Sequence, residues 1–242
     1  MAPSTSKKDV KIHPIIAFYK GGTDDYGRTL DQILAWSDRE LEMCHNYIQR
    51  VFPLPEESGV SWSAPIITRE VFDAFRADPK LRDQLHRSYK RLAEFYGFKI
   101  VKGKDIPPDS RSEDDADVKV IDPEQEYLIT QPPEIFARNS ESWLTPFDHN
   151  HLRITRIIRC LRVLGLEAEA KDFHQALWRC SRRPRKGKEV SQRTIGYWDR
   201  ALRRPLNIEP DDDGEDTTTG PDFLVEYEAS LAKDKETKPR QE

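Results

Sequence analysis

Apolar residues recur along this chain at helical spacing, and strict alternation is rare. Between residues 149 and 166, Ile154, Ile157, Ile158, Leu161 and Leu164 fall within about one third of a helical circumference, which predicts an amphipathic helix with one buried face. Arg156 and Arg159 point away from that stripe. Arg153 and Arg162 flank it, where their stems can cover apolar surface while the guanidinium groups reach water or an acidic partner.

The same pattern predicts further helices. Thr29 with Gln32 forms a capping box ahead of Leu30, Ile33, Leu34, Leu41, Cys44, Ile48 and Phe52, a helix stopped by Pro53 and Pro55. After a turn-rich stretch over 56–65, Thr68 caps a short helix that buries Val71, Phe72 and Phe75. Asp78-Pro79 starts the next, with the stripe Leu81, Leu85, Tyr89, Leu92 and Phe95 before Gly97. Thr145-Pro146-Phe147-Asp148 reads as a capping box opening the arginine-rich helix, and Gly165 closes it. A helix from Glu167 to Cys180 buries Ala170, Phe173 and Leu177, and Ser191 caps a last one through Tyr197, Trp198 and Leu202, ended by Pro205.

These elements predict an all-α fold: one compact domain of five or six helices over residues 12–205, with 1–11 and an acidic tail over 206–242 disordered. Residues 102–131 read as an acidic loop or insertion, with one short strand around Val118, Val120 and Ile121. Residues 181–190 read as a basic linker. No internal repeat is visible, which removes solenoids.

Charge sharpens this division, because the formal net charge of -4 hides segments of opposite sign. Residues 102–126 hold nine acids against four bases, and 209–216 hold six acids and no base. Residues 179–204 hold ten bases against Glu189 and Asp199, a net of +8. Within that block, Arg182, Arg183, Arg185, Lys186 and Lys188 surround a Pro/Gly breaker and form a nuclear-import candidate. The same cluster offers phosphate a patch, with Tyr197 and Trp198 as stacking groups, but it also reads as a solvated surface paired with the acidic segments, and nucleic acid is the less favoured partner.

Cys44, Cys160 and Cys180 match no metal spacing and no disulfide framework, so a reducing compartment is expected. No stretch approaches the roughly 20 apolar residues of a membrane span. Nucleotide loops, Gly-x-Ser-x-Gly and His-Glu-x-x-His spacings are absent, and no metal site or cofactor is expected. Asp24-Asp25 with Gly27-Arg28 admits a cation or phosphate site, yet a solvated turn leading to Thr29 explains it more simply. His45 reads either as a general base or ligand contact, or as a half-buried interface histidine. Arg153 and Arg156 beside His149 read either as an anion pocket or as partners of Asp31, Asp38 or Glu42 that fix helix packing.

Three blocks resemble the opioid growth factor receptor conserved-domain family. The first is Phe18-Tyr19 followed by Leu30 to Pro53, where His45-Asn46-Tyr47-Ile48-Gln49 and Val51-Phe52-Pro53-Leu54 are similar to the family's His-x-Tyr-Ile-Gln-Trp-Leu-Phe-Pro-Leu. The second runs from Ala64-Pro65 through Thr68 and Phe75 to Phe95-Tyr96-Gly97. The third is His149-Asn150 with Leu152-Arg153-Ile154-Thr155-Arg156-Ile157, followed by Leu164-Gly165-Leu166. The likeness covers roughly residues 15 to 180, with Arg50 standing where the family pattern has Trp. It implies a peptide receptor of the nucleus and perinuclear region that restrains proliferation.

Together these readings predict a binding domain in nucleus and cytoplasm, with no catalytic residues. It recognises a peptide or protein partner through His45, Gln49, His149, Asn150, Arg153 and Arg156, in a groove between the Thr29 to Phe52 helix and the Arg153 helix. The import machinery is a second expected partner. The rival is a small-molecule enzyme using the His45 and His149 region, which requires a closed apolar cavity lined by His45, Asp148, His149 or Tyr47.

Overall fold

A computed structural model describes residues 12–59, 61–102, 127–183, 189–210 and 220–237. Its elements in chain order are α1 (Pro14–Tyr19), α2 (Leu30–Leu34), α3 (Asp38–Met43), α4 (Ile48–Val51), α5 (Arg69–Ala77), α6 (Pro79–Phe95), β1 (Lys99–Lys102), β2 (Tyr127–Thr130), α7 (Pro133–Asn139), α8 (Asn150–Val163), α9 (Glu167–Ser181), α10 (Gln192–Arg203) and α11 (Asp222–Thr237). The fold is all-α apart from the small antiparallel pair β1–β2, in which Ile100 faces Ile129.

Helix α8 is the centre. It packs against α9 and α10, while α6 packs against α1, α5 and β1. Its predicted stripe of Ile154, Ile157, Ile158, Leu161 and Leu164 is fully buried. The stop at Gly165 also holds, since its φ of 89° is left-handed. Starts at Asp78 and Ser191 are made by the predicted side chains, which accept from the Lys80 and Thr194 backbone amides.

Five expectations are corrected. The single helix from Thr29 to Phe52 is three short ones, α2, α3 and α4. Ser37 with Glu40 makes a second capping box inside the apparent run, and Cys44 is extended, so His45 lies between helices. The central helix begins at Asn150. Thr145 does not cap it; the N-cap position is His149, and the Asp148 carboxylate just before it accepts from the Asn150 amide at 2.7 Å. Strands close both ends of the 102–131 stretch, where a loop was expected, because buried Ile100 and its partner Ile129 give the hairpin an apolar face. The strand expected near Val118 lies outside the described residues, and α7 follows unforeseen. Helix α11 falls within the stretch read as acidic tail, where Phe223 and Leu224 find an apolar surface to bury against. The count of helices among the described residues is therefore eleven, most of them short.

The polar arc of α8 also departs from expectation. Arg159 is only 2% exposed and Arg153 is buried as well. Arg153 donates to the carbonyl oxygens of Leu41, Glu42 and Cys44 at 3.0, 3.3 and 3.2 Å, the open end of α3. Arg156 donates to Phe52 at the end of α4. Arg159 pairs with Glu56 and donates to the Leu206 carbonyl at 2.9 Å. Arg162 reaches the Ala201 and Arg204 carbonyls at the end of α10. A helix C-terminus leaves carbonyls without intrahelical partners, and a guanidinium with five donors satisfies several at once. Elsewhere Arg76 serves the end of α8 and Arg91 the end of α2 in the same way.

Candidate functional site

The expected site residues separate into two groups. His149, Asn150 and Arg153 gather around Glu42, and His45 lies beside His149. The Glu42 carboxylate lies 3.2 Å from His149 Nε2, accepts from Asn150 Nδ2 at 3.2 Å, and stands 3.9 Å from Arg153 Nη1. His149 Nδ1 is 3.5 Å from Asp148, and the His45 and His149 rings lie 5.4 Å apart. Gln49 is instead buried on α4, and Arg156 is taken up by the Phe52 carbonyl. The arginines are held by packing partners; of the three acids expected for Arg153 and Arg156 only Glu42 approaches, while Asp31 pairs with Arg87 and Asp38 with Arg91.

The first turn of α8 borders an open groove of about 450 Å³ between α8 and α10, lined among others by Phe147, Asp148, His149, Leu152, Arg193 and Tyr197. Its exposure pattern is inverted. Leu152 is 67% exposed and is the one exposed residue of α8, while the arginines of the helix are buried or half-buried. Phe147, just before the helix, is 80% exposed. Sequence reasoning missed both, although a signal existed: Leu152 is two residues from Ile154, about 200° round the helix, and so lies on the polar arc.

Beneath the groove His151 is locked. Its Nε2 is 2.7 Å from the Trp143 carbonyl oxygen, its Nδ1 is 3.2 Å from Thr194 Oγ1, and the His151 carbonyl oxygen accepts from Trp198 Nε1. Burial lowers its pKa, opposed by the Trp143 hydrogen bond. Buried Trp198 is unavailable for base stacking, and Tyr197 lies beneath the Arg200 guanidinium, 4.5 Å from its ring centre.

Asp24 and Asp25 are both engaged by arginine. Asp24 pairs with Arg28 at 2.7 Å; Asp25 takes Arg50 at 2.8 and 2.6 Å and the Ser63 hydroxyl at 3.0 Å. The Arg50 hydrogen bonds, with Ser63, hold the Asp25 carboxyl below the usual range against a partial cost of burial. Arg50 also donates to Ser61 and Ser63, so it pins the turn that carries Trp62, 92% exposed. Arg182 and Arg183 are exposed at the end of α9, Arg182 over the Trp178 ring at 4.5 Å; Arg185, Lys186 and Lys188 lie outside the described residues. Among the described residues no three His, Cys, Asp or Glu side chains gather as a metal site, and no helix is long and apolar enough to cross a membrane.

The fold and this cluster define an all-α domain organised around one arginine-rich central helix. Residues 17–106 match the opioid growth factor receptor (OGFr) conserved region. It is similar to the opioid growth factor receptor of Rattus norvegicus, 33% identical over 157 residues that make up 63% of this chain and 23% of the relative. The Homo sapiens receptor is 30% identical over 159 residues, 64% of this chain and 20% of the relative. Opioid growth factor receptor-like protein 1 of Rattus norvegicus is 30% identical over 129 residues, 53% and 22% respectively. The matched stretch thus spans 20–23% of these relatives' lengths. No solved structure matches the chain.

Proposed function

We propose that this chain is a binding domain, not a catalyst, that takes a short peptide or a protein segment in the groove between α8 and α10. The observation that carries the reading is Leu152. A central helix that buries or half-buries its arginines yet leaves its leucine in water, beside an exposed Phe147, presents an apolar anchor point with His149, Asp148 and Arg193 at its rim. The relatives' name, receptor, agrees with a peptide or protein ligand. An open groove lacking His45 and Tyr47 differs from the closed apolar cavity an enzyme of this type requires. Residence in nucleus and cytoplasm, import through Arg182 to Lys188 and a role in growth regulation belong to the same proposal.

The test uses a displayed peptide library selected on the intact chain. Enriched peptides should lose at least tenfold in affinity on Leu152→Glu or Phe147→Ala, both of which leave the core untouched. Peptides that bind these variants as tightly as the wild type would move the site elsewhere.

A further inference from the structure

A second surface is already occupied, by the chain itself. Helix α5 presents Phe72 between Arg69 and Arg76, and α11 lies on it. Phe72 meets Phe223 at 5.4 Å and Tyr227 edge-on at 5.1 Å between ring centres. Arg76 donates to the Tyr227 hydroxyl at 2.8 Å and stacks over that ring at 4.5 Å. Arg69 pairs with Glu226. Glu228 accepts from the Leu206 amide at 2.6 Å.

Two features set α11 apart from the other helices of its length. Among its described side chains only Phe223 and Leu224, near its start, are buried, and residues 229–234 are exposed or half-exposed. It has none of the close helix-to-helix packing that joins α8, α9 and α10. Like α8, α9 and α10 it lies outside residues 17–106, whereas Arg69, Phe72 and Arg76 lie within that matched stretch. The receiving surface therefore belongs to the matched region and the helix on it does not. Two arginines flanking an aromatic ring suit an acidic helix bearing aromatic groups, since each guanidinium can pair with a carboxylate and stack on a ring.

We propose that the Arg69, Phe72 and Arg76 face of α5 is a docking groove for a helix of a protein partner, and that α11 fills it in cis as a stand-in. The partner helix carries an aromatic–aliphatic pair like Phe223-Leu224, an aromatic residue one turn later, and acids at the positions of Glu226 and Glu228. This groove is separate from the one beside Leu152, and either proposal can fail without the other.

The probe is a labelled synthetic peptide of residues 220–237, added to the full chain and followed by fluorescence polarisation. The wild type, with its groove filled, should bind at least tenfold more weakly than a Phe223→Ala/Leu224→Ala/Tyr227→Ala variant in which the cis helix has lost its anchors. Arg69→Glu in that variant should weaken binding about tenfold, and a peptide carrying Glu226→Arg should restore it. Equal binding by both proteins, or equal binding of a scrambled peptide, overturns the proposal. So does loss of cooperative thermal unfolding in the triple variant, because α11 would then be a fixed part of the core. A concentration-dependent dimer exchanging α11 would make the occupant a second copy and overturn the partner assignment.

Discussion

Arg153 Nη1 donates to the Leu41 carbonyl oxygen at 3.0 Å, tying the middle of the molecule to the open end of α3. With Glu42 and Cys44 also served, Arg153 stands in for the missing helical donors of a whole helix terminus. Arg153→Ala would leave buried carbonyls unpaired and is expected to cost about 3 kcal/mol in urea unfolding, with Arg153→Lys recovering only part, since an ammonium cannot span the same fork. A loss below about 1 kcal/mol would refute the capping role. The same reasoning makes Arg153 a poor probe of ligand binding, for which Leu152 is the better choice.

Leu152→Glu should change stability by no more than about 0.5 kcal/mol, because the side chain is mostly in water. A thermal melt of the variant checks this directly, and a large drop would mean that Leu152 packs in solution against something the structure does not contain.

Stability should fall as pH drops from about 7 towards 5. Burial lowers the pKa of His13, His151 and His174, the last against the opposing pull of Asp199. A histidine depressed in the folded state binds its proton more readily when unfolded. Its contribution is therefore complete above the ordinary value of about 6.5 and is lost as pH falls through that value towards the folded one. Melting temperatures across this range should trace the loss, and His151→Gln should flatten part of it. Asp25 acts in a separate window, with stability present above the ordinary carboxylate range and lost as pH falls through its depressed value.

Arg50 and Asp25 should be coupled. A double-mutant cycle with Arg50→Ala and Asp25→Ala should give about 1–2 kcal/mol, reduced from the value for a fully buried pair because Asp25 is partly in water. Losing Arg50 also frees Ser61 and Ser63, so the variant should be cut faster by chymotrypsin at Trp62. Unchanged cleavage would show that the turn holds its place by other contacts.

Gly97 has a φ of 92°, and a Cβ there would stand 2.9 Å from the Phe136 backbone Cα. Gly97→Ala is expected to lose about 2 kcal/mol or more from backbone strain plus overlap with α7, read by chemical denaturation. A neutral result would mean that α7 can withdraw freely.

The sequence by itself determined the all-α class, the buried face of α8, and the helix limits at Asp78, Ser191 and Gly165. Those features follow from local rules: apolar spacing, side chains that cap backbone donors, and glycine at left-handed positions. The tertiary structure alone decided what became of the arginines, because which carbonyl each one meets depends on where another helix ends. It also decided that Leu152 stays in water, since no count of apolar positions says which of them finds a neighbour. The same holds for α11, whose residues look like an acidic tail until Phe72 and its two flanking arginines supply a surface to bury against.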